Sequence, residues 1–344
     1  MESISSVISE DLIAPFYTSF EEEYRSIKEG AAWYREGGGI LQLAGAESLD
    51  FLQRLSTNDM TPLAAGECVT TVLTTEKGRI VDFCTVLPSQ EHLVMVTSRG
   101  MAGKVKSWLE KFIIMEDITV TDLSVSHTTA SLMGPEVENL LSSHLPNGLD
   151  STGQLPCHFR WNEEGFFLTR DKRSSVPCYR LFASCSGLEA LLAKGEGFPE
   201  DVLRPVGTRA YDSFRIENGL PIMGRDIDEQ VNPLEAALRG YVSFTKGCYI
   251  GQEVIARIDT YQKLRKELRG LIIDAPEGGT LSPGTLWVST EQIGVTTSHS
   301  WSIALQRHIA LGFVKAGTES SRIDYRTEPE AVPFAAALSK FPMC

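Results

Sequence analysis

The chain lacks any C-x-x-C pair, although seven cysteines are scattered through its 344 residues, at positions 68, 84, 157, 178, 185, 248 and 344. An odd set without paired spacing excludes a secreted disulfide framework and a thiolate cradle for zinc or a cluster, and it reads as reduced thiols. No run of about eighteen apolar residues occurs, which excludes a membrane-spanning helix. The stretch MESISSVISEDLIAPF has neither the basic and apolar regions of a signal peptide nor the Arg-rich, acid-poor character of a transit peptide. A cytoplasmic protein without membrane contact is therefore expected. Positive charge is also short: 32 Lys and Arg stand against 45 Asp and Glu, a net charge of −13 that repels a phosphate backbone. Direct nucleic-acid binding is not expected, and the densest basic run, KLRKELR at 263–269, reads as a solvated strand or helix edge. There is no internal repeat and no low-complexity linker.

What is present is the composition of a globular protein, 42% hydrophobic and 22% charged, with length for two or three domains. FEEEYRSIKEGAAWYREGGG at 20–39 predicts a helix stopped by three glycines, with a short strand at ILQLAG after it. AESLDFLQRLSTND places Leu49, Leu52 and Leu55 at helical spacing, and Val105, Trp108, Leu109 and Phe112 mark an amphipathic helix. VTTVLTT, RIVDFCTVL and HLVMVTS between them read as strands, the first two joined by a turn at Lys77 and Gly78. A second mixed unit is expected to run from ITVTDLS and HTTASLMG through PEVENLLSSHL, FFLTR, CYRLFAS and SGLEALLAKG to VGTRAYDSFRIENG, a helix with a glycine stop. Beyond Arg269 the texture changes to short strands (LRGLIID, GTLWVST, IGVTTSH, HIALGFV) that predict a small β-barrel. The fold class is α+β.

The octapeptide KGCYIGQE, residues 246–253, raises a chemical question. If a helix begins near Gln252, its free N–H groups and the Lys246 ammonium both favour a thiolate at Cys248, while Gly247 and Gly251 permit a sharp turn and an open approach. The other reading is a turn cysteine between glycines needed for geometry alone. Cys84, inside IVDFCTVL, reads as a small buried hydrophobe.

The string K-G-C-Y-x-G-Q-E resembles the signature of the YgfZ-like branch of the glycine-cleavage T-protein superfamily, which folds around tetrahydrofolate. RIENGLPIMGRDIDEQVNPLEAAL at 215–238 resembles the central block of that superfamily, with Glu217, Gly219, Gly224, Asp226, Asn232, Pro233 and Glu235 in place. GAESLDFLQRLSTNDMTPLAAGE, GVTTS and RHIALGFV resemble its N-terminal and barrel patterns, so the likeness runs in order over residues 20–315. The resemblance implies a folate-binding domain of two packed α+β subdomains over 20–264 and a C-terminal β-barrel over 265–335, arranged as a ring with a central channel. It also implies a monomer that binds tetrahydrofolate or a one-carbon derivative. Glu217 then contacts the pterin, whose amino-pyrimidine edge suits a carboxylate. Lys246 lies near the folate or the thiol, and Asp82 near the reactive nitrogens.

One departure stands out. Transferases of the superfamily carry an Asp-Asp pair after the Lys/Gly turn, where this chain has Asp82 followed by Phe83. Asp82 either orients folate and a proton or is an inward polar residue on an edge strand. With the cysteine signature present and one carboxylate missing, the resemblance favours an accessory factor for iron–sulfur enzymes. Client enzymes or cluster-assembly proteins are its implied partners, and Cys248, Lys246 and Asp82 its working residues. The alternative is a tetrahydrofolate-dependent aminomethyltransferase of glycine cleavage or related amine catabolism, with Cys248 structural. A scaffold that binds no folate is a third reading.

Overall fold

A computed structural model describes residues 13–65, 67–89, 92–144, 157–161, 164–192, 198, 202–278, 281–320, 322–328 and 332–344. The N-terminal stretch read above for targeting character lies outside the described residues up to position 12, as does the end of SGLEALLAKG. In chain order the elements are α1 (Phe20–Glu29), β1 (Ala31–Arg35), β2 (Gly38–Ala44), α2 (Ser48–Leu55), β3 (Val69–Thr74), β4 (Ile80–Pro88), β5 (His92–Arg99), α3 (Ala102–Glu110) and β6 (Thr119–Asp122). Next come β7 (His127–Met133), α4 (Val137–His144), β8 (Cys157–Trp161), β9 (Glu164–Arg170), β10 (Cys178–Ser184), α5 (Cys185–Leu192), β11 (Leu203–Pro205) and α6 (Thr208–Glu217). The chain closes with α7 (Gln252–Thr260), β12 (Lys266–Asp274), β13 (Thr285–Val288), β14 (Glu291–Ser302), β15 (Arg307–Lys315), β16 (Ile323–Arg326) and β17 (Phe334–Ser339).

Two compact units emerge, and the chain passes between them more than once. The first comprises residues up to Gly37 and Val125–Phe214. Its six-stranded sheet, in the order β11-β1-β7-β10-β9-β8, packs one apolar face under α4 and α5 through Leu132, Leu140, Leu168, Leu181 and Leu188. Its other face mixes aromatic rings with charge: Phe167 packs on Phe182, Arg180 on β10 pairs with Glu36 at 2.7 Å, and Ser131 on β7 donates to the same carboxylate. The helix expected over 20–39 ends at Glu29, because Gly30 caps it and AAWYR is drawn into this sheet as β1, pairing with β7 and β11. Helical and strand periodicities overlap in that stretch, and the pairing partners nearly a hundred residues away decide it.

The second unit comprises Gly38–Ser124 and Arg215–Cys344. It holds a five-stranded sheet, β3-β4-β5-β2-β6, and a closed barrel, β12-β15-β14-β13-β16-β17. On the sheet, α2 and α3 bury Phe51, Leu52, Leu55, Val105 and Leu109 against Leu41, Leu73, Val86 and Met95. The barrel has two strands more than the four the sequence displayed. Ile323–Arg326 and Phe334–Ser339 are short and polar in part, and they become strands by closing the cylinder between β13 and β12. The barrel therefore extends beyond residue 335.

A buried ion pair joins the end of α6 to the barrel. Arg215 donates through Nη1 to Asp226 Oδ2 at 2.9 Å and through Nη2 to Ser298 Oγ at 2.7 Å. Asp226 also accepts from Ser298 Oγ at 2.6 Å, Thr297 Oγ1 at 2.5 Å and the Ile222 N–H at 2.9 Å. Such a pair is costly to break from one side, because the survivor stays buried and charged. Arg215→Met is expected to destabilise the protein by about 3–5 kcal/mol in urea denaturation, and Arg215→Met with Asp226→Leu to recover part of that loss.

Candidate functional site

Asp82 sits on β4, the second strand of the five-stranded sheet, paired on both sides and not on an edge. Leu73 pairs with Asp82 but Thr74 with Ile80, so Val81 is an extra residue, a β-bulge. Beyond the bulge, Asp82, Cys84 and Val86 share the face that carries the α2/α3 core, while Phe83 points to the other. The carboxylate is consequently 0% exposed. Its Oδ2 accepts the Ser98 N–H at 3.0 Å, and its Oδ1 has no hydrogen-bond partner among the described residues. Burial pushes the Asp82 carboxyl up to about 6, against the opposing bonds to Ser98 and Phe83 and the charge of Lys104. The neighbouring Cys84 thiol is raised by its own burial and by the Asp82 charge.

Phe83 packs on the opposite face, edge-on to Tyr241 at 4.9 Å and beside Val72 and Ile80. A carboxylate at position 83 would point into that apolar cluster, away from Asp82. Phe83 and Asp82 thus sit in separate surroundings, one apolar and one on the α2/α3 face.

Glu217 is the last residue of α6 and is fully buried. Its Oε1 accepts the Ser302 hydroxyl at 2.6 Å, and its carbonyl accepts the Met343 N–H at 2.8 Å. Gly219 follows with φ +69°, and a Cβ there would lie 2.4 Å from the Phe341 ring, so the glycine stop is demanded by both backbone and space. The block around Glu217 is equally constrained. The Asn232 side chain accepts the N–H groups of Leu234 and Glu235 at 2.9 Å, and Glu235 returns a bond to the Asn232 N–H at 3.1 Å, a reciprocal cap.

The octapeptide divides into residues the fold uses and residues it does not. Lys246 Nζ donates to the carbonyls of Gln53 at 2.7 Å, Ser56 at 2.9 Å and Asn58 at 2.6 Å. These are the orphan acceptors at the C-terminal end of α2 and the turn after it, and they take up all three donors of an ammonium group. Lys246 is thus a clamp on α2, with no N–H left for a folate or for the Cys248 sulfur; that part of the expectation is corrected. Burial lowers Lys246 to about 8, with the Asp59 carboxylate acting in the other direction. Tyr249 is buried with Val242 and Ile255. The Ile250 N–H donates to the Arg54 carbonyl at 3.2 Å, and its own carbonyl accepts Thr74 Oγ1 at 2.7 Å. Gly251 has φ +83°, and a Cβ there would stand 2.5 Å from the Thr75 carbonyl. It opens α7, which begins at Gln252. Gly247 has nothing within 4 Å of where a Cβ would lie, and Cys248 is exposed.

Asp82, Glu217 and Lys246 therefore each have their own partners, Ser98, Ser302 and the α2 carbonyls. Sequence reasoning did not single out Ser98 or Ser302; a serine on a strand carries no signal until its partner is known. Among the described residues no group of three or more His, Cys, Asp and Glu is placed to hold a metal ion. No helix among them is long and apolar enough to cross a membrane.

An α+β protein with a six-stranded closed barrel, a bulged central strand bearing a buried Asp and a capped N-x-x-E turn is the class that this geometry defines. The model of the GCVT N-terminal domain matches residues 16–164 and 186–246, and that of the glycine cleavage T-protein C-terminal barrel domain matches 266–343. The chain belongs to the glycine-cleavage T-protein family, whose members bind tetrahydrofolate as substrate or cofactor. It is similar to an aminomethyltransferase of Symbiobacterium thermophilum, 29% identical over 313 residues that cover 87% of this chain and 82% of the relative. It is also similar to a putative chloroplastic transferase of Arabidopsis thaliana, 28% identical over 286 residues, 80% of this chain and 63% of that one. In three dimensions it matches the glycine cleavage system aminomethyltransferase T of Bartonella henselae, with TM-score 0.79 and 20% identity over 95% of this chain and 90% of the other.

A carboxyl raised by burial makes the fold least stable where it is ionised. Folded Asp82 holds its proton to about 6 against an ordinary value of 3.8, so wild-type stability falls as pH rises through that window. Asp82→Asn is expected to be more stable than wild type by roughly 3 kcal/mol above pH 6, with the difference closing below pH 4, in thermal melts across pH.

Proposed function

We propose that this protein binds tetrahydrofolate and transfers a one-carbon, aminomethyl-type unit to or from it, with Asp82 as the acid–base residue. The observation that carries this reading is the buried, half-satisfied Asp82, whose affinity for a proton is tuned close to neutral pH. A carboxylate kept only for structure has both oxygens bonded, as Asp226 has; Asp82 keeps one oxygen and a removable proton in reserve. Tetrahydrofolate supplies the nitrogens that carry the one-carbon unit. Asp82 would hold or release a proton at such a nitrogen, and the buried Glu217 carboxylate would receive donors of the pterin edge. Relatives named aminomethyltransferase over most of the chain support the same reading.

The test has a binding arm and a turnover arm. Calorimetry is expected to detect tetrahydrofolate binding to wild type and to Asp82→Asn alike. Folate-dependent ammonia release from the aminomethylated carrier of glycine cleavage is expected to fall at least about 100-fold in Asp82→Asn. Binding without any wild-type turnover on this or a related amine donor would sink the transferase reading.

A second reading, the YgfZ-like accessory role for iron–sulfur enzymes, is favoured by one observation: packing accounts for Lys246, Tyr249, Ile250 and Gly251 but not for Gly247 or the exposed Cys248. An exposed thiol is a ligand or exchange partner for soft iron and sulfur species, although one thiol cannot hold a cluster. On this reading Cys248→Ser folds and binds folate normally yet fails to restore iron–sulfur enzyme activity in cells lacking the protein. Full restoration by the serine variant would remove the thiol from the function.

A further inference from the structure

The segment 239–269 carries charge opposite to that of the chain as a whole. It holds seven Lys and Arg against three Asp and Glu, a net +4 inside a protein of net −13. Two of its three carboxylates are already engaged, Asp259 by Arg239 and Glu267 by Arg269 at 3.1 Å. Arg257, Lys263 and Arg265 are exposed and have no carboxylate partner among the described residues. The segment packs Val242, Tyr249 and Ile255, with Ile258 and Leu264, into one small core together with Leu234, and that core supports these side chains.

That surface also exposes two aromatic rings, Tyr261 at 63% and Phe244 at 39%. Each ring has a cation over it: Arg239 lies 4.7 Å from the Phe244 centroid and Lys263 lies 5.4 Å from that of Tyr261. Exposed aromatics with ordered cations are the composition of a protein-binding surface, where Tyr, Phe and Arg anchor and their ordering has been settled before the partner arrives. A solvated face has no need of the rings.

We propose that this surface docks an acidic segment of a partner protein, with Phe244 and Tyr261 as apolar anchors and Arg257, Lys263 and Arg265 as the counter-charges. A nucleic acid fits less well. Three cations without a carboxylate partner neutralise few phosphates, the remainder of the molecule repels a polyanion, and each ring already has a cation on it where a base would stack. An acidic protein brings carboxylates one at a time and apolar side chains between them. The inference holds for either reading of the activity, since both involve a protein partner.

The probe is a fluorescent Glu/Asp-rich peptide containing leucines, measured by anisotropy against the full-length protein without folate. Binding is expected to weaken at least about tenfold in the triple variant Arg257→Glu, Lys263→Glu, Arg265→Glu, and several-fold in Tyr261→Ala. A control with the same change in net charge, Lys104→Glu, Lys106→Glu, Lys111→Glu, is expected to bind like wild type, and urea melts check that every variant folds. The proposal is overturned if the control loses affinity equally, which would mean bulk attraction. It is overturned too if no binding occurs, or if single-stranded oligo-dT displaces the peptide at concentrations where the free peptide does not.

Discussion

Much of the second unit hangs on the side chain of Asp226. Its two oxygens accept from Arg215, Ile222, Thr297 and Ser298, so the end of α6, the turn after it and barrel strand β14 meet at one carboxylate. Glu217 is two residues from Arg215 on the same helix, and Ser302 is four from Ser298 on the same strand, so the pair that holds Glu217 is set by the pair that holds Asp226. A buried ion pair is weak as a source of stability but strong as a specifier, since only one register satisfies all its bonds. Asp82 is the instructive contrast: equally buried, on a strand, but with one oxygen left without a partner.

The octapeptide illustrates how a motif can mix two kinds of constraint. Four of its positions are explained by the need to fasten a loop onto α2 and onto the turn between β3 and β4. Lys246 does this with three carbonyls, and Gly251 does it by letting two backbones approach within a distance that no side chain permits. Gly247 and Cys248 are carried to the surface by the same loop, Cys248 exposed. The exposed thiol thus owes its place to a scaffold built for other reasons.

The side chains at positions 82 and 83 bear on the choice between transfer chemistry and an accessory role. Consecutive residues on a strand face opposite ways, so losing the second carboxylate of a pair costs only what that residue touched on its own face. Here that face is apolar and lined by Tyr241 and Val72. Phe83 and Asp82 therefore contact different parts of the fold.

The sequence by itself determined the α+β class, the barrel after residue 265 and the positions of α2, α3, α6 and α7, because each rests on local periodicity or a cap within a few residues, while the family was legible through the resemblance of its motifs. Its local chemistry singled out Cys248, and the resemblance pointed to Asp82 and Glu217. Only the tertiary structure decided that AAWYR is a strand, since its partners lie near residues 130 and 203. The same holds for the last two barrel strands, which exist because a cylinder must close. The duty of Lys246 was not legible either: its three acceptors are backbone carbonyls almost two hundred residues away, and a carbonyl looks the same in every sequence. The bulge at Val81 completes the point, for a single extra residue in one strand sets which face Asp82 takes, and only the pairing of two strands makes a residue extra.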